Sequence, residues 1–95
     1  MKLFRIYQDV NRGYDTYDSA IVAAHDEDMA RCIHPGGSYR WDGTHWSVTN
    51  PSGHVSRESE WSPTWAAPQR VGVKLIGEAS PDTEAGVICA SFNAG

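Results

Sequence analysis

The pattern of apolar and polar residues predicts strands near both ends of the chain and an irregular stretch between them. Residues 2–10 alternate as a strand does, and residues 20–24 are apolar throughout, which is typical of a strand covered on both faces. Residues 71–80 and 85–92 alternate again. A turn beginning at Pro81 separates these last two, so we predict that they pair as an antiparallel hairpin.

A short helix is predicted directly after the second strand. Asp26 is a good N-cap, because its carboxylate can accept hydrogen bonds from the free amides of the first turn. Met29, Ala30 and Ile33 recur at helical spacing and give the helix one apolar face. Pro35 and the glycines after it end the helix. A helix of about two turns is marginal alone, so we expect Ile33 to dock it on a sheet.

Residues 38–70 form an insertion between this helix and the last two strands. An Asp-Gly pair between aromatic and β-branched flanks predicts a hairpin within residues 39–48. The stretch that follows shows no clean period, and we interpret it as ordered loop with one helical turn. The insertion holds all four tryptophans of the chain: Trp41, Trp46, Trp61 and Trp65.

The predicted fold is one small α+β domain over residues 1–95. It has a four-stranded antiparallel sheet in the order β-β-α-insertion-β-β, with the short helix on one face. We expect the insertion to cover a sheet edge or the other face.

Composition narrows the classes of function. The chain has 95 residues and a formal net charge of −4, without a basic patch, which argues against a general binder of nucleic-acid backbones. No apolar run is long enough for a signal peptide or a membrane span, so we expect a cytoplasmic protein. Cys32 and Cys89 are expected to be buried free thiols, although a disulfide between them stays open.

Three segments resemble a group of small uncharacterised phage and prophage proteins. They are KLFRIYQDVNRGYDTYDSAIVAA near the start, the helix segment DEDMARCIHP and the closing GVICASFNAG. The resemblance implies a phage or prophage accessory protein, and it transfers no catalytic residue.

The ionisable residues show no spacing typical of a catalytic or metal site. The four histidines and Cys32 lack the short paired spacings of zinc ligands. The acidic residues of the first loop and the helix start are explained as turn and cap formers. We therefore expect no catalytic residue, no metal and no cofactor.

Aromatic residues close to arginines and aspartates are the candidate recognition residues, since such types dominate binding hot spots. Trp61 and Trp65 lie in a segment that prolines interrupt. They therefore lack the strand context that directs a side chain into a core. The first loop, with two tyrosines beside two aspartates, offers a second surface. The alternative is that the rings plug the open face of a small sheet. The candidate partner-binding residues are Trp61, Trp65, Tyr39, Arg57, Tyr14, Asp15, Tyr17 and Asp18.

These observations favour a non-enzymatic accessory protein that binds a host protein in the bacterial cytoplasm. Inhibition of a bacterial defence system, as by an anti-CRISPR protein, is the specific role we expect. Direct binding of nucleic acid or membrane is not expected, and a homodimer stays open. The alternatives are a small structural or self-associating virion component and, lower, a metal-binding or small-molecule-binding protein.

Overall fold

Seven strands, one α-helix and one 3-10 turn form two sheets in residues 1–58 and 63–93, the part of the chain that the computed structural model describes. The α+β class predicted from the sequence is confirmed. In chain order the elements are β1 (Lys2–Tyr7), β2 (Thr16–Ala24), α1 (Glu27–Arg31), β3 (Tyr39–Trp41), β4 (Trp46–Thr49), β5 (Val55–Arg57), the 3-10 turn (Pro68–Arg70), β6 (Gly72–Glu78) and β7 (Gly86–Asn93).

The first two and last two strands form a four-stranded antiparallel sheet in the order β6-β1-β2-β7. The predicted β6–β7 hairpin is wrong, because β6 pairs with β1 and β7 pairs with β2 at opposite edges of the sheet. Strands that follow each other in sequence usually pair. Here the β1–β2 hairpin already forms the centre, and the closing strands extend it on either side.

One face of this sheet carries the core. Phe4, Ile6 and Val22 are at most 2% exposed, and the alternation along the strands places them on the same side. The opposite face carries Arg5 and Tyr7, both exposed. On β2 this opposite face is covered in part, since Ala23 is fully buried and Ile21 is half-buried, so the expectation that β2 is covered on both faces is met at its C-terminal end.

Helix α1 begins and docks as the sequence predicts. The Asp26 side chain accepts a hydrogen bond from the Met29 amide at 2.8 Å and so caps the first turn. Ala30 is fully buried, while Met29 and Ile33 are half-buried against the same core. The helix contacts β1, β2 and β6 through this apolar side.

The insertion folds into a second, three-stranded sheet in the order β3-β4-β5. The predicted hairpin is confirmed: the Asp42 carboxylate accepts from the amides of Thr44 and His45 at 2.8 and 2.7 Å, and Gly43 has a φ of 105°. The sequence pattern does not predict strand β5. All three of its residues are exposed, so its sequence has no apolar face. The expected helical turn is the 3-10 turn before β6.

This insertion lies on the face of the first sheet that α1 also covers. Trp46, Trp65 and Ala66 belong to the same buried cluster as the core residues of β1, β2 and α1. The prediction that the insertion covers an edge or the opposite face is wrong. A five-residue helix cannot cover four strands, and the large indole rings bury much of the remaining apolar surface.

Both cysteines are free thiols, but both are exposed, so the prediction that they are buried is wrong. Cys32 is the C-cap of α1. On β7 the pairing register shifts, so that Cys89 lies opposite Ile21 while Val87 lies opposite Val22. This irregularity moves Cys89 to the open face of the sheet.

Candidate functional site

A buried polar cluster lies at the junction of α1 and the two sheets. His34, just after α1, is 1% exposed, and its Nε2 lies 2.9 Å from Oε2 of Glu58. The hydroxyl of Thr64 donates to Oε1 of Glu58 at 3.0 Å, and the Thr64 amide donates to the same oxygen. We call His34, Glu58 and Thr64 the His34 cluster.

The hydrogen bonds of His34 define its protonation state. The backbone N–H of Gly36 donates to Nδ1 at 2.9 Å, so this nitrogen carries a lone pair and no proton. The proton of the neutral ring is then on Nε2, which donates to Glu58. His34 is therefore neutral in this arrangement, and the cluster carries only the charge of its carboxylate.

Glu58 is the charged member of the cluster. Burial raises the pKa of its carboxyl group, but hydrogen bonds from His34 and from Thr64, together with the electrostatic attraction of His34, outweigh burial and hold that pKa below its usual value. The side chain is only 9% exposed. Its sequence neighbour Arg57 pairs with Asp42 at 3.7 Å instead. Among the described residues, His34 is therefore the one basic side chain beside Glu58.

Four aromatic rings enclose His34. Tyr39 stacks on the imidazole with ring centroids 4.3 Å apart, and Trp46 and Tyr17 meet it edge-on at 5.1 and 5.9 Å. The ring of Trp65 lies 6.5 Å away. Such an apolar enclosure excludes water and strengthens the hydrogen bonds inside it.

One of the two tryptophan candidates, Trp65, lies in the interior. Trp65 is 2% exposed and belongs to the core, which agrees with the alternative that the rings plug the open face of the sheet. A residue outside a regular strand is still directed inward when the segment carrying it crosses the core face. Tyr39 is half-buried on His34 and belongs to the interior as well. Trp61 lies outside the described residues.

The first loop does form an exposed surface. Tyr14 is 76% exposed and Val10 is 48% exposed, and Asp15 and Asp18 are exposed beside them. We call these four residues the loop surface.

Tyr17 does not belong to the loop surface. Its ring packs 4.8 Å from that of Phe92 and faces His34. The pairing register of β2 with β7 shifts between Tyr17 and Ser19. Asp18 is the additional residue of this irregularity, which leaves Asp18 in solvent while Tyr17 faces inward.

Gln8 fixes one side of the first loop. Its Nε2 donates to the carbonyls of Tyr17 and Thr64 at 2.8 and 3.2 Å, and its Oε1 accepts from Nδ2 of Asn11 at 3.1 Å. The Tyr17 amide also donates to the Thr64 carbonyl at 3.1 Å. The loop is thus anchored to a residue of the His34 cluster.

Asn93 fixes the other side of the loop. Its Nδ2 donates to the carbonyl of Gly13 at 2.7 Å, and its carbonyl accepts from the Asp15 amide. Asp15 itself has a φ of 60°, a left-handed conformation that aspartate tolerates better than most residues. These bonds hold the backbone on both sides of Tyr14.

Arg57 stands apart from the other candidates. It lies on β5, its side chain is 63% exposed, and its ion pair is with Asp42 of the neighbouring hairpin. An exposed pair of this kind contributes little to stability.

The His34 cluster does not have the geometry of a catalytic triad. In a triad the carboxylate binds one imidazole nitrogen and the nucleophile faces the other. Here Glu58 and the Thr64 hydroxyl both face Nε2, at 2.9 and 3.3 Å, while Nδ1 is taken by a backbone amide. In residues 1–58 and 63–93, no group of three or more His, Cys, Asp or Glu side chains is arranged to hold a metal ion.

Sequence reasoning missed Glu58 and Thr64, and it treated His34 as one of several scattered histidines. Glu58 follows His34 by 24 residues and Thr64 follows it by 30, with all three strands of the second sheet between His34 and Glu58. No spacing rule joins residues so far apart. The sequence signal for this site is the position of His34, directly after a predicted helix, in a chain that also has an aromatic-rich insertion.

Comparisons with protein-family models, with curated proteins and with solved structures give no match. None of the helices in the described part of the chain has the length and apolar character of a membrane span.

Proposed function

We propose that this chain is a non-enzymatic protein that acts by binding another protein through its loop surface. The observation that carries the proposal is a tyrosine that is 76% exposed on a backbone held by hydrogen bonds from both sides. Tyrosine is among the residues that dominate binding hot spots. A loop that is already ordered loses less conformational entropy on binding, which favours affinity.

A concave surface beside Tyr14 supports the proposal. A groove of about 340 Å³ runs between the first loop and the segment at Pro63 and Thr64. Val10, Tyr14 and Asp15 are among the residues that line it. An apolar side chain of a partner fits such a groove while the tyrosine ring packs against the surface around it.

The charges of this region indicate the partner's chemistry. Asp9, Asp15 and Asp18 are exposed here, and Arg12 lies 3.7 Å from Asp9. The region therefore has an acidic excess, as does the whole chain at −4. A partner surface with basic residues around an apolar side chain is complementary.

The biological setting of the proposal rests on the resemblance to phage and prophage proteins. We infer a host protein of the bacterial cytoplasm as the partner, with a component of a defence system as the specific case. An acidic surface suits a basic, nucleic-acid-binding target of that kind.

The test compares two tagged variants with the parent protein in a bacterial lysate. Tyr14→Ala removes the exposed ring, and Val55→Thr is the matched control, because Val55 is 59% exposed on the second sheet. Proteins captured by the parent and by Val55→Thr but lost from Tyr14→Ala are then purified. Their direct affinity for each variant is measured by calorimetry.

We expect Tyr14→Ala to weaken binding of the purified partner at least tenfold and to leave the free energy of unfolding within about 0.5 kcal/mol of the parent. An unchanged affinity in Tyr14→Ala, or the absence of any protein specific to the parent, contradicts the proposal.

A second candidate function, a self-associating structural component, is favoured by strand β7. This eight-residue edge strand has no charged residue, and Ile88 and Phe92 are 51% and 45% exposed. The opposite edge strand, β6, carries Lys74 and Glu78, which discourage edge pairing. Light scattering of the parent and of Ile88→Lys tests this candidate, which requires an oligomer in the parent and a monomer in the variant.

A further inference from the structure

A second concave site, separate from the loop surface, opens beside the His34 cluster. It is a cavity of about 170 Å³. Among the described residues, it is lined by Trp41, Trp46, Trp65, Pro63, Ala67 and Glu58, together with Thr44 and His45.

The indole walls of this cavity are held in place by the fold. Trp46 and Trp65 are 4% and 2% exposed, and Nε1 of Trp46 donates to the carbonyl of Ala66 at 2.9 Å. Trp41 is half-buried and meets Trp46 edge-on, with ring centroids 5.3 Å apart and an interplanar angle of 66°. The cavity is therefore preformed, with rings in more than one plane.

The charge at the cavity is an independent observation that points to a ligand. Glu58 lines the cavity as an ionised side chain that is 9% exposed, and His34 beside it is neutral. A buried charge is normally paired with an opposite charge. Within the described chain this one has only neutral hydrogen-bond donors.

We propose that this cavity binds a methylated ammonium group, with the cation against the tryptophan rings and beside the Glu58 carboxylate. Indole faces attract cations more strongly than other aromatic rings do, and cages of such rings recognise quaternary ammonium groups. Methyl groups suit the apolar indole walls, whereas a bare ammonium group is strongly hydrated and loses more on entry.

The size of the cavity limits the ligand to one head group. Sites for drug-sized molecules are typically about 300–1,000 Å³, which is larger than this cavity. The same chemistry occurs in a free choline-like molecule and in a methylated lysine side chain of a protein. The inference does not depend on the loop surface, so either proposal can fail alone.

The experiment follows the indole N–H signals of the ¹⁵N-labelled full chain while ligands are added. Choline is compared with 3,3-dimethylbutan-1-ol, which has the same shape and no charge. A short peptide with trimethyl-lysine, beside the same peptide with unmodified lysine, distinguishes the two sources.

We expect saturable shifts of the Trp41 and Trp46 signals, with choline or the trimethylated peptide preferred at least tenfold over its control. A response to both ligands, or to either one alone, supports the proposal and identifies the source. Equal binding of the neutral isostere, or no saturable shift with any cation, overturns it.

Two variants tie the signal to the cavity. Trp41→Leu removes a half-buried wall, and Glu58→Gln removes the charge; each is expected to weaken binding at least fivefold. Val55→Thr, outside the cavity lining, should bind as the parent does. If Glu58→Gln does not fold, Trp41→Leu alone decides, and an unchanged affinity in it overturns the proposal.

Discussion

The loop surface and the His34 cluster with its enclosing rings contain similar residue types but differ in solvent exposure. Both combine aromatic rings with carboxylates, but Tyr14 is 76% exposed while Trp65 is 2% exposed. On the loop the aspartates remain in water. In the cluster, Glu58 is held by His34 and Thr64 inside an enclosure of rings. An acidic-aromatic composition therefore does not by itself distinguish a recognition surface from a structured interior.

The two regions are also connected. The Thr64 carbonyl accepts hydrogen bonds from Gln8 and from the Tyr17 amide, so the residue that binds Glu58 also anchors the first loop. The interior cluster anchors the loop, and the loop holds Tyr14, the side chain that we propose contacts a partner. Single substitutions separate these contributions, and their expected effects decrease from Trp65→Ala to Asp42→Asn.

Trp65→Ala is expected to have the largest effect, because it removes a fully buried indole from the core. The free energy of unfolding should fall by about 3–5 kcal/mol, the usual cost of such a truncation. Urea denaturation followed by circular dichroism measures it. A loss below about 0.5 kcal/mol, typical of surface substitutions, would mean that Trp65 lies at the surface, as Tyr14 does, and would contradict the difference between the two regions.

Glu58→Gln is expected to cost about 1–3 kcal/mol at neutral pH, because one donor of His34 or Thr64 then meets an NH₂ group instead of an oxygen. The pH dependence has a definite sign. The pKa of Glu58 is lower in the folded chain than in the unfolded chain, so its stabilisation is complete above the usual glutamate pKa of 4.5.

That stabilisation is lost as the pH falls through the lower, folded-state pKa of Glu58. The difference in stability between parent and Glu58→Gln should therefore be constant near neutral pH and shrink below about pH 4.5. Urea titrations at several pH values test this. A difference that grows in acid would mean that burial dominates and that the pKa of Glu58 is raised.

Asp42→Asn is expected to have the smallest effect, and it provides the exposed counterpart to Glu58. Amide hydrogen bonds from His45 and Thr44 lower the pKa of Asp42 from 3.8 to about 2. Its contribution should be present above pH 3.8 and disappear between there and about pH 2. Carboxyl-detected NMR of the parent measures this titration directly, and an Asp42 pKa near 3.8 would contradict the turn geometry.

The sequence was sufficient for features that depend on neighbouring residues. The cap at Asp26 and the hairpin at Asp42 and Gly43 both follow from local pattern and turn chemistry. The register shift that turns Tyr17 inward depends instead on pairing between β2 and β7, which a linear pattern does not encode.

The candidate site was predicted only in part for the same reason. Tyr14 and Asp15 in the hairpin loop and Asp18 near the start of β2 form an exposed group because they are close in sequence. The His34 cluster depends on how the insertion crosses the first sheet, which brings Glu58 and Thr64 to a histidine 24 and 30 residues earlier. The inward direction of the Trp65 side chain also follows from this crossing, so the local sequence alone does not predict it.

The protonation state of His34 is the most direct test of the account, since it decides whether Glu58 has a charged partner. Long-range ¹H–¹⁵N NMR at neutral pH should show the two ring nitrogens far apart in chemical shift, with Nδ1 unprotonated and the proton on Nε2. Two protonated nitrogens would make His34 a cation paired with Glu58. That result would contradict the hydrogen bond from Gly36 and remove the unpaired charge on which the proposed ammonium site rests.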